Sequence, residues 1–369
     1  MKSKIGQQLI IGIQGTTLSN DEVKLIGERN LGGVILFKRN CESPDQIREL
    51  TQEIQSLQAA TSDRLPFFIS IDMEGGRVSR LKPPFTQWPA VAHLGKIDST
   101  SVAFKFAQSM GAELHSVGIN LNFAPCIDVL SNPQNQVIGD RALSTKPEVV
   151  AKLGSALVRG YIKSHVLPCA KHFPGHGNTL LDSHEDLPVE EKNLADLEAL
   201  EFEPFKKVIR ARLDMLMVAH ILYPNIDAEW PASLSEIFLR KILRDQLRYR
   251  NLVITDDLDM KALTRHHSKA TIAVRAIKAG ANILLYCNEP ESPLIALEAI
   301  EKALADGEIN RSMIEENHRK IVDLKKKTLS TLGDQTPNSN IIFPSHENIR
   351  LAEAIVAGSV PADLLSQAE

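Results

Sequence analysis

The sequence predicts an α/β fold built as a single (β/α)8 TIM barrel with a short C-terminal extension. The first observation is that short, continuously apolar runs alternate with segments of helical spacing, as parallel strands covered on both faces require. The second is that several of these runs end at a charged or imidazole-bearing residue. An open, doubly wound sheet gathers its ligand groups at one switch point, whereas a closed barrel gathers them from many strand ends at one mouth. Because polar residues follow nearly every run, the barrel is favoured.

The predicted elements follow in chain order. The runs predicted as strands are 9–13, 33–37, 67–71, 119–124, 167–170, 215–219, 252–255 and 282–286. The segments with helical spacing include 44–57, 102–117, 147–164, 194–211, 234–247 and 270–279. A (β/α)8 barrel spans about 250 residues before insertions, which agrees with the extent of this alternation.

Length and composition fit one large core. The chain has 369 residues, of which 43% are hydrophobic and 24% are charged. Residues 1–330 are predicted to form the catalytic barrel. Residues 331–369 begin with polar and turn residues and continue into a short helical segment. They are interpreted as a C-terminal tail that is too short for a second domain.

Charge and apolar length argue against two classes of protein. A net charge of −4 and a pI near 6.3 give no basic footprint for nucleic acid. No apolar run approaches the roughly 20 residues that a membrane span needs. The N-terminus lacks a small-residue cleavage site and is interpreted as a first strand, and the four cysteines lack CxxC spacing, which indicates buried thiols in a reducing compartment. A cytoplasmic monomer that binds neither nucleic acid nor membrane is expected.

A lysine and several histidines lie close together after the fifth run. Lys171 and His172 stand where the mouth of a barrel would be, and His176 and His184 follow. A metal site is one interpretation of this cluster. Its spacing is not that of ligands on one helix, and Lys171 would repel a cation at close range, so no metal is expected. For His176, a role as a hydrogen-bonding residue of a tight loop is equally open.

Two further motifs carry groups that suit acid/base and nucleophilic chemistry. In Asp182-Ser183-His184 the aspartate can accept a hydrogen bond from one ring nitrogen, which fixes the tautomer and raises the basicity of the imidazole. A solvated polar loop would give the same pattern, so this signal is weak by itself. Asp256 is the first residue beyond the seventh run and is placed at the mouth, where a carboxylate is a natural nucleophile.

Acids and arginines near the third and fourth runs suit the recognition of sugar hydroxyls. Asp72 and Arg80 flank a diglycine turn, and together they can form paired hydrogen bonds to vicinal hydroxyls. Arg141 is a further cation after the fourth run. A nucleophilic carboxylate, an oriented histidine and hydroxyl-binding groups add up to glycoside hydrolysis by a retaining route, with a histidine in place of the usual second carboxylate.

The chain resembles bacterial β-N-acetylhexosaminidases of the family-3 glycoside hydrolases over residues 5–330. The resemblance is carried by motifs that follow one another in the order of the family. These are Ile-Asp-Met-Glu-Gly-Gly-Arg-Val at 71–78, Asn-Phe-Ala-Pro at 122–125 followed by Asp-Val at 128–129, Val-Ile-Gly-Asp-Arg at 137–141, Lys-His-Phe-Pro-Gly-His-Gly at 171–177, Asp-Ser-His at 182–184, Ala-His at 219–220 with Tyr-Pro at 223–224, and Thr-Asp-Asp-Leu-Asp-Met at 255–260.

The resemblance implies a retaining exo-hydrolase that needs no cofactor and releases terminal β-linked N-acetylglucosamine. It implies that Asp256 is the nucleophile and that His184 is the acid/base, with Asp182 as its partner. The sugar-binding positions that it implies are Asp72, Arg80, Arg141, Lys171 and His172. The Asp-Ser-His loop favours a hexosaminidase over related glucosidases, which lack it. Cytoplasmic proteins of this kind recycle peptidoglycan, so a muropeptide or oligosaccharide that contains N-acetylglucosamine is the expected substrate.

Departures from the family pattern, among them Asn178, and three alternatives remain. Asn178 stands where this family usually has aspartate, which removes a negative charge near the acid/base loop. An amino-sugar-binding barrel without turnover would share the same motifs. A glycoside phosphorylase is a second alternative, because a neutral histidine repels phosphate less than a carboxylate does. The third is a metal-dependent hydrolase that uses His172, His176, His184 and His220.

Overall fold

Eight parallel strands form a closed barrel in the sequential order β1 to β8. The computed structural model describes residues 1–181, 183, 185–329 and 341–365. The strands are β1 (Leu9–Gly12), β2 (Gly33–Leu36), β3 (Phe68–Ile71), β4 (Leu121–Asn122), β5 (Leu167–Phe173), β6 (Met215–Val218), β7 (Leu252–Asp257) and β8 (Ile283–Tyr286). Each overlaps one predicted run, and β8 pairs in parallel with β1, which closes the sheet. The predicted (β/α)8 class is confirmed.

Helices cover the outside of this barrel. They are α1 (Lys2–Gly6), α2 (Asn20–Glu28), α3 (Pro44–Ser56), α4 (Ala92–Ile97), α5 (Thr100–Ser116), α6 (Pro147–Lys163), α7 (Leu194–Ala199), α8 (Phe202–Arg210), a π-helix (Ile237–Gln246), α9 (Lys261–Thr264), α10 (Lys269–Ala279), α11 (Ser292–Ala305), α12 (Arg311–Thr328) and α13 (His346–Ala357). Among the described residues, no helix is both long enough and apolar enough to span a bilayer.

The single helix predicted over residues 194–211 is wrong, because two helices occupy that range. The break lies at Leu200, whose φ of −129° leaves the helical region. Pro204 falls in the first turn of α8, where a missing N–H costs no helical hydrogen bond. In one continuous helix the same ring would clash with the preceding turn. Pro204 was therefore the sequence signal for a new helix.

The fifth strand runs further than predicted, and this extension positions the site. The prediction ended it at residue 170, whereas β5 continues through Lys171 and His172 to Phe173. The extension is held by tertiary pairing with the segment after β4. The amide of Lys171 donates to the Pro125 carbonyl at 3.1 Å, and the Lys171 carbonyl accepts from the Ile127 amide at 2.8 Å. Lys171 and His172 therefore lie on a rigid strand end.

The N-terminal end of the barrel is closed by a buried lysine of α12. Lys325 is fully buried, and its Nζ donates to the Gly32 carbonyl at 2.7 Å and to Gln7 Oε1 at 2.9 Å. The same ammonium lies 4.7 Å from the ring centroid of Phe68, which belongs to the apolar filling of the barrel. Lys325 therefore plugs the barrel interior at this end, opposite the carboxyl ends of the strands.

The segment 341–365 packs against the barrel through α13. Leu351 and Ile355 are completely buried. Asn348 donates to Glu113 Oε1 of α5 at 2.9 Å, and the ring of Phe343 lies 4.6 Å from that of Phe85. The division into a barrel at 1–330 and a tail at 331–369 stays a prediction, because residues 330–340 and 366–369 lie outside the described residues.

Candidate active site

The carboxyl ends of the strands surround a cavity of about 280 Å³ at one end of the barrel. Six of the predicted site residues line it, from four different strands or the loops that follow them. These residues are Asp72, Arg80, Arg141, Lys171, His172 and Asp256. The other two predicted catalytic residues, Asp182 and His184, lie outside the described residues. The intervening Ser183 lines the cavity.

Asp256 lies near the end of β7 with its carboxylate in an electropositive setting. Burial alone would raise its pKa, but the neighbouring His172 and His220, the amide of Asp257 and the Lys171 ammonium together hold the pKa below its usual value. The Asp257 amide donates to Asp256 Oδ1 at 2.8 Å, which fixes the carboxylate orientation. A partly buried, oriented and ionised carboxylate can attack an electrophilic carbon.

His220 secures the end of β7 from the neighbouring strand. Its Nε2 lies 2.9 Å from the backbone carbonyl of Asp257, and since a carbonyl can only accept, Nε2 carries the proton. Its Nδ1 lies 2.7 Å from Ser233 Oγ. The ring therefore links the segment after β6 to the end of β7 by a hydrogen bond, a role that the sequence did not predict for it.

A chain of ion pairs holds the predicted sugar-binding cations. Lys171 is only 3% exposed, and its Nζ lies 2.6 Å from Asp72 Oδ1 and 2.7 Å from Glu74 Oε1. Arg141 binds both carboxylate oxygens of Glu74, through Nε at 2.9 Å and Nη2 at 2.8 Å. Burial opposes charge on Lys171, but the carboxylates of Asp72 and Glu74 raise its pKa above the usual value. The lysine therefore stays charged.

Glu74 is the buried centre of this chain and is absent from the predicted site residues. Burial would raise its pKa, yet Arg141 and Lys171 hold the pKa well below its ordinary value. The sequence signal was available. Two cations predicted at one mouth require a buried counter-charge, and Glu74 lies in the same motif as Asp72.

Asp128 is the second functional residue that the predicted site lacked. It is completely buried beneath His172, and its Oδ2 lies 2.7 Å from His172 Nδ1. On the other side of the ring, Arg141 Nη2 lies 3.3 Å from His172 Nε2. A guanidinium can only donate, so Nε2 accepts and the proton lies on Nδ1, directed at Asp128. Burial would raise the pKa of Asp128, but His172 and His176 lower it to about 2.

Two glycines allow the loop after β5 to fold tightly above Asp128. Gly175 has a φ of +135°, which side chains rarely adopt, and a Cβ there would lie 2.5 Å from Glu201 Cγ. A Cβ on Gly177 would lie 1.8 Å from the Val129 carbonyl oxygen. The close approach brings the amide of His176 to within 2.7 Å of Asp128 Oδ1. The loop and the floor of the site are therefore one unit.

The amide side chain of Asn178 suits its two neighbours in this chain, Glu190 and Ser131. Its Nδ2 donates to Glu190 Oε2 at 2.7 Å, and its Oδ1 accepts from Ser131 at 3.3 Å. An aspartate at this position would face Glu190 with a second negative charge. The departure from the family pattern is therefore matched by its neighbour.

The family model for the glycosyl hydrolase family 3 N-terminal domain matches residues 1–324. The chain belongs to that family. Its curated relatives include a beta-hexosaminidase of Nitrosomonas eutropha, 38% identical over 77% of this chain and 81% of the relative, and one of Idiomarina loihiensis, 35% identical over 86% and 96%. Among solved structures it is similar to a glycoside hydrolase family 3 beta-N-acetylglucosaminidase from Paenibacillus sp. str. FPU-7, with a TM-score of 0.93 and 37% identity over 97% of this chain and 68% of that one. It is also similar to native NagZ from Neisseria gonorrhoeae, with a TM-score of 0.74 and 30% identity over 96% and 98%.

One group of potential metal ligands exists among the described residues of this family-3 chain. The ligand atoms of Cys126, Asp128 and His172 lie within 4.8 Å of one another. They already bond one another, since Cys126 Sγ lies 3.2 Å from Asp128 Oδ2 and His172 Nδ1 lies 2.7 Å from the same oxygen. Since Arg141 lies on the other side of His172, both ring nitrogens already have hydrogen-bond partners, and the group serves to orient the ring.

Proposed function

We propose that this protein is a retaining exo-β-N-acetylglucosaminidase in which Asp256 is the nucleophile and His184, paired with Asp182, is the acid/base. The observation that carries the proposal is the Asp256 carboxylate, held ionised at the mouth of the barrel and facing Lys171 and His172. The relatives named as beta-hexosaminidases and the similar beta-N-acetylglucosaminidase structure support the same reaction.

The reaction proceeds in two displacements at the anomeric carbon. In the first, an oxygen of Asp256 bonds to that carbon while the bond to the leaving-group oxygen breaks, and His184 gives that oxygen a proton. In the second, His184 takes a proton from water, the water oxygen bonds to the anomeric carbon, and the ester bond to Asp256 breaks. Both displacements invert the centre, so the sugar leaves with its original β configuration.

The groups around Asp256 supply the hydrogen bonds that hold the sugar. Arg80 lies 3.4 Å from Asp72, and its Nε is buried without a hydrogen-bond partner among the described residues. A buried, unused donor costs free energy until a ligand satisfies it, so this Nε is suited to a sugar hydroxyl. Lys171 and Arg141 add cationic donors that their carboxylate partners hold in place.

The proposed substrate is a peptidoglycan fragment or oligosaccharide with terminal β-linked N-acetylglucosamine. The cavity of about 280 Å³ is at the small end of ligand pockets, which suits a single sugar unit better than an internal stretch of polymer. All four cysteines are buried and free, as in proteins of a reducing compartment, so we place the enzyme in the cytoplasm.

The proposal is tested with 4-nitrophenyl N-acetyl-β-glucosaminide, and the matching β-glucoside serves as control. The wild type should release nitrophenol from the acetamido sugar selectively. Asp256→Asn should abolish this turnover and His184→Ala should strongly reduce it, while circular dichroism verifies folding of both variants. Turnover that depends on added phosphate would indicate a phosphorylase instead, and a folded wild type that cleaves neither substrate would refute the hydrolase.

A further inference from the structure

The segment that carries Asp182 and His184 is tied to the mouth at Ser183 and at Asp186. Ser183 is 3% exposed, whereas the preceding Leu180 and Leu181 are 72% and 50% exposed. This is the reverse of the ordinary preference, in which leucines are buried and serines are exposed. Apolar burial therefore does not orient this loop. The loop is oriented instead by polar contacts of Ser183.

The first contact joins Ser183 to His176. Thr179 Oγ1 donates its one proton to the His176 carbonyl at 3.0 Å, so it must accept from His176 Nδ1, which lies 2.6 Å away. The proton of the neutral ring is therefore on Nδ1, and Nε2 is an acceptor. Ser183 Oγ lies 3.4 Å from that Nε2 and donates to it. Burial, followed by the proximity of the His172 imidazole, lowers the pKa of His176 to about 4, so the ring is neutral at neutral pH.

The second set of contacts ties the same loop to the segment that follows Asp256. The carbonyl of Ser183 accepts from the amide of Ala262 in α9 at 3.2 Å. Three residues further along the loop, Asp186 lies 3.1 Å from Arg265 Nη1 and 3.0 Å from His266 Nε2. Because α9 begins four residues after β7 ends, the proposed nucleophile and the acid/base loop share one support.

We propose that His176, Ser183 and Asp186 are positioning residues that set the distance between the acid/base on His184 and the nucleophile Asp256. Ser183 is bonded directly to both partners of the Asp182–His184 pair, so holding its hydroxyl and its carbonyl limits where each neighbour can lie. A misplacement of about 1 Å at a catalytic group costs up to about a hundredfold in rate. This inference rests on the proposed function, since it assigns how that site is assembled.

The experiment compares two N-acetyl-β-glucosaminides that differ in their need for a proton. A 2,4-dinitrophenyl glycoside leaves as a stable anion and needs no acid, whereas an alkyl glycoside needs full protonation of its leaving oxygen. Ser183→Ala removes only the hydroxyl that reaches His176. We expect kcat/KM for the alkyl substrate to fall roughly tenfold to a hundredfold, and that for the dinitrophenyl substrate to change by less than about threefold. Ser62→Ala is the matched control, because this serine is exposed and precedes the N-terminal end of β3, away from the carboxyl-end cavity.

Asp186→Asn provides an independent variant, because this carboxylate is on the surface and its loss should not impair folding. It should show the same selective loss, smaller in size and shrinking as salt screens the pairing in the wild type. Glu185→Gln, at the adjacent exposed residue, is its control. Equal losses on both substrates, or no loss in either variant, would overturn the positioning role. A wild type that cleaves neither substrate would overturn the proposed function itself.

Discussion

Replacing Glu74 by glutamine should destabilise the protein more than any other single carboxylate change at the mouth. Glu74 is 3% exposed and accepts three hydrogen bonds from Arg141 and Lys171, at 2.7 to 2.9 Å. A glutamine oxygen can keep the bonds at one position, but its NH2 then faces the Arg141 Nε–H, so two donors oppose each other. The change also leaves two buried cations with one counter-charge fewer. Removing one member of a buried ion pair costs about 3–5 kcal/mol, and we expect a loss of that size.

Urea unfolding followed by circular dichroism measures this loss as a shift of the midpoint at constant slope. Glu236→Gln is the matched control, because its carboxylate pairs with Arg275 on the surface at 3.2 Å and is 47% exposed. That variant should be hard to distinguish from the wild type, since exposed pairs contribute little. If Glu74→Gln and Glu236→Gln unfolded at the same urea concentration, the central role assigned to Glu74 would be refuted.

Two further predictions concern charge away from the nucleophile. Burial lowers the pKa of Lys325 to about 7 from 10.5, so between those pH values the unfolded chain binds more protons and the free energy of unfolding should rise with pH. Lys325→Met should remove this rise in urea titrations at pH 7 to 10. An unchanged dependence of the unfolding free energy on pH would contradict this prediction. Asn178→Asp would place a second carboxylate beside Glu190, so we expect a loss of about 1–3 kcal/mol at pH 7 that shrinks towards pH 4. Asn178→Ser, measured by thermal unfolding at both pH values, should show no such pH dependence, and equal behaviour of the two variants would count against charge repulsion.

Much of the fold could be predicted because a barrel strand covered on both faces leaves a continuous apolar run. The ends of strands were less accessible. Lys171 and His172 extend β5 only because the segment after β4 folds beside them, and polar residues in a strand give no apolar signal. That pairing is tertiary, so local sequence cannot reveal it.

The sequence predicted side chains that line the cavity, and it did not predict the buried residues that support them. Asp72 directly follows β3 and Asp256 lies at the end of β7, and parallel strand ends meet at one mouth. Glu74 and Asp128 hold cavity-lining side chains from below, which is a matter of geometry and burial. Glu74 could have been inferred from the two cations predicted around it, whereas the burial of Asp128 beneath His172 emerges only from the folded structure.

Trapping of the glycosyl-enzyme tests the central claim most directly. A 5-fluoro analogue of an N-acetyl-β-glucosaminyl fluoride has a good leaving group and forms an ester that hydrolyses slowly, so the intermediate accumulates. After digestion, mass spectrometry should locate one sugar on the peptide that contains residues 255–260, with fragmentation placing it on Asp256. A sugar on Asp257 or on another residue, or an unlabelled enzyme that still turns over the nitrophenyl substrate, would contradict the account.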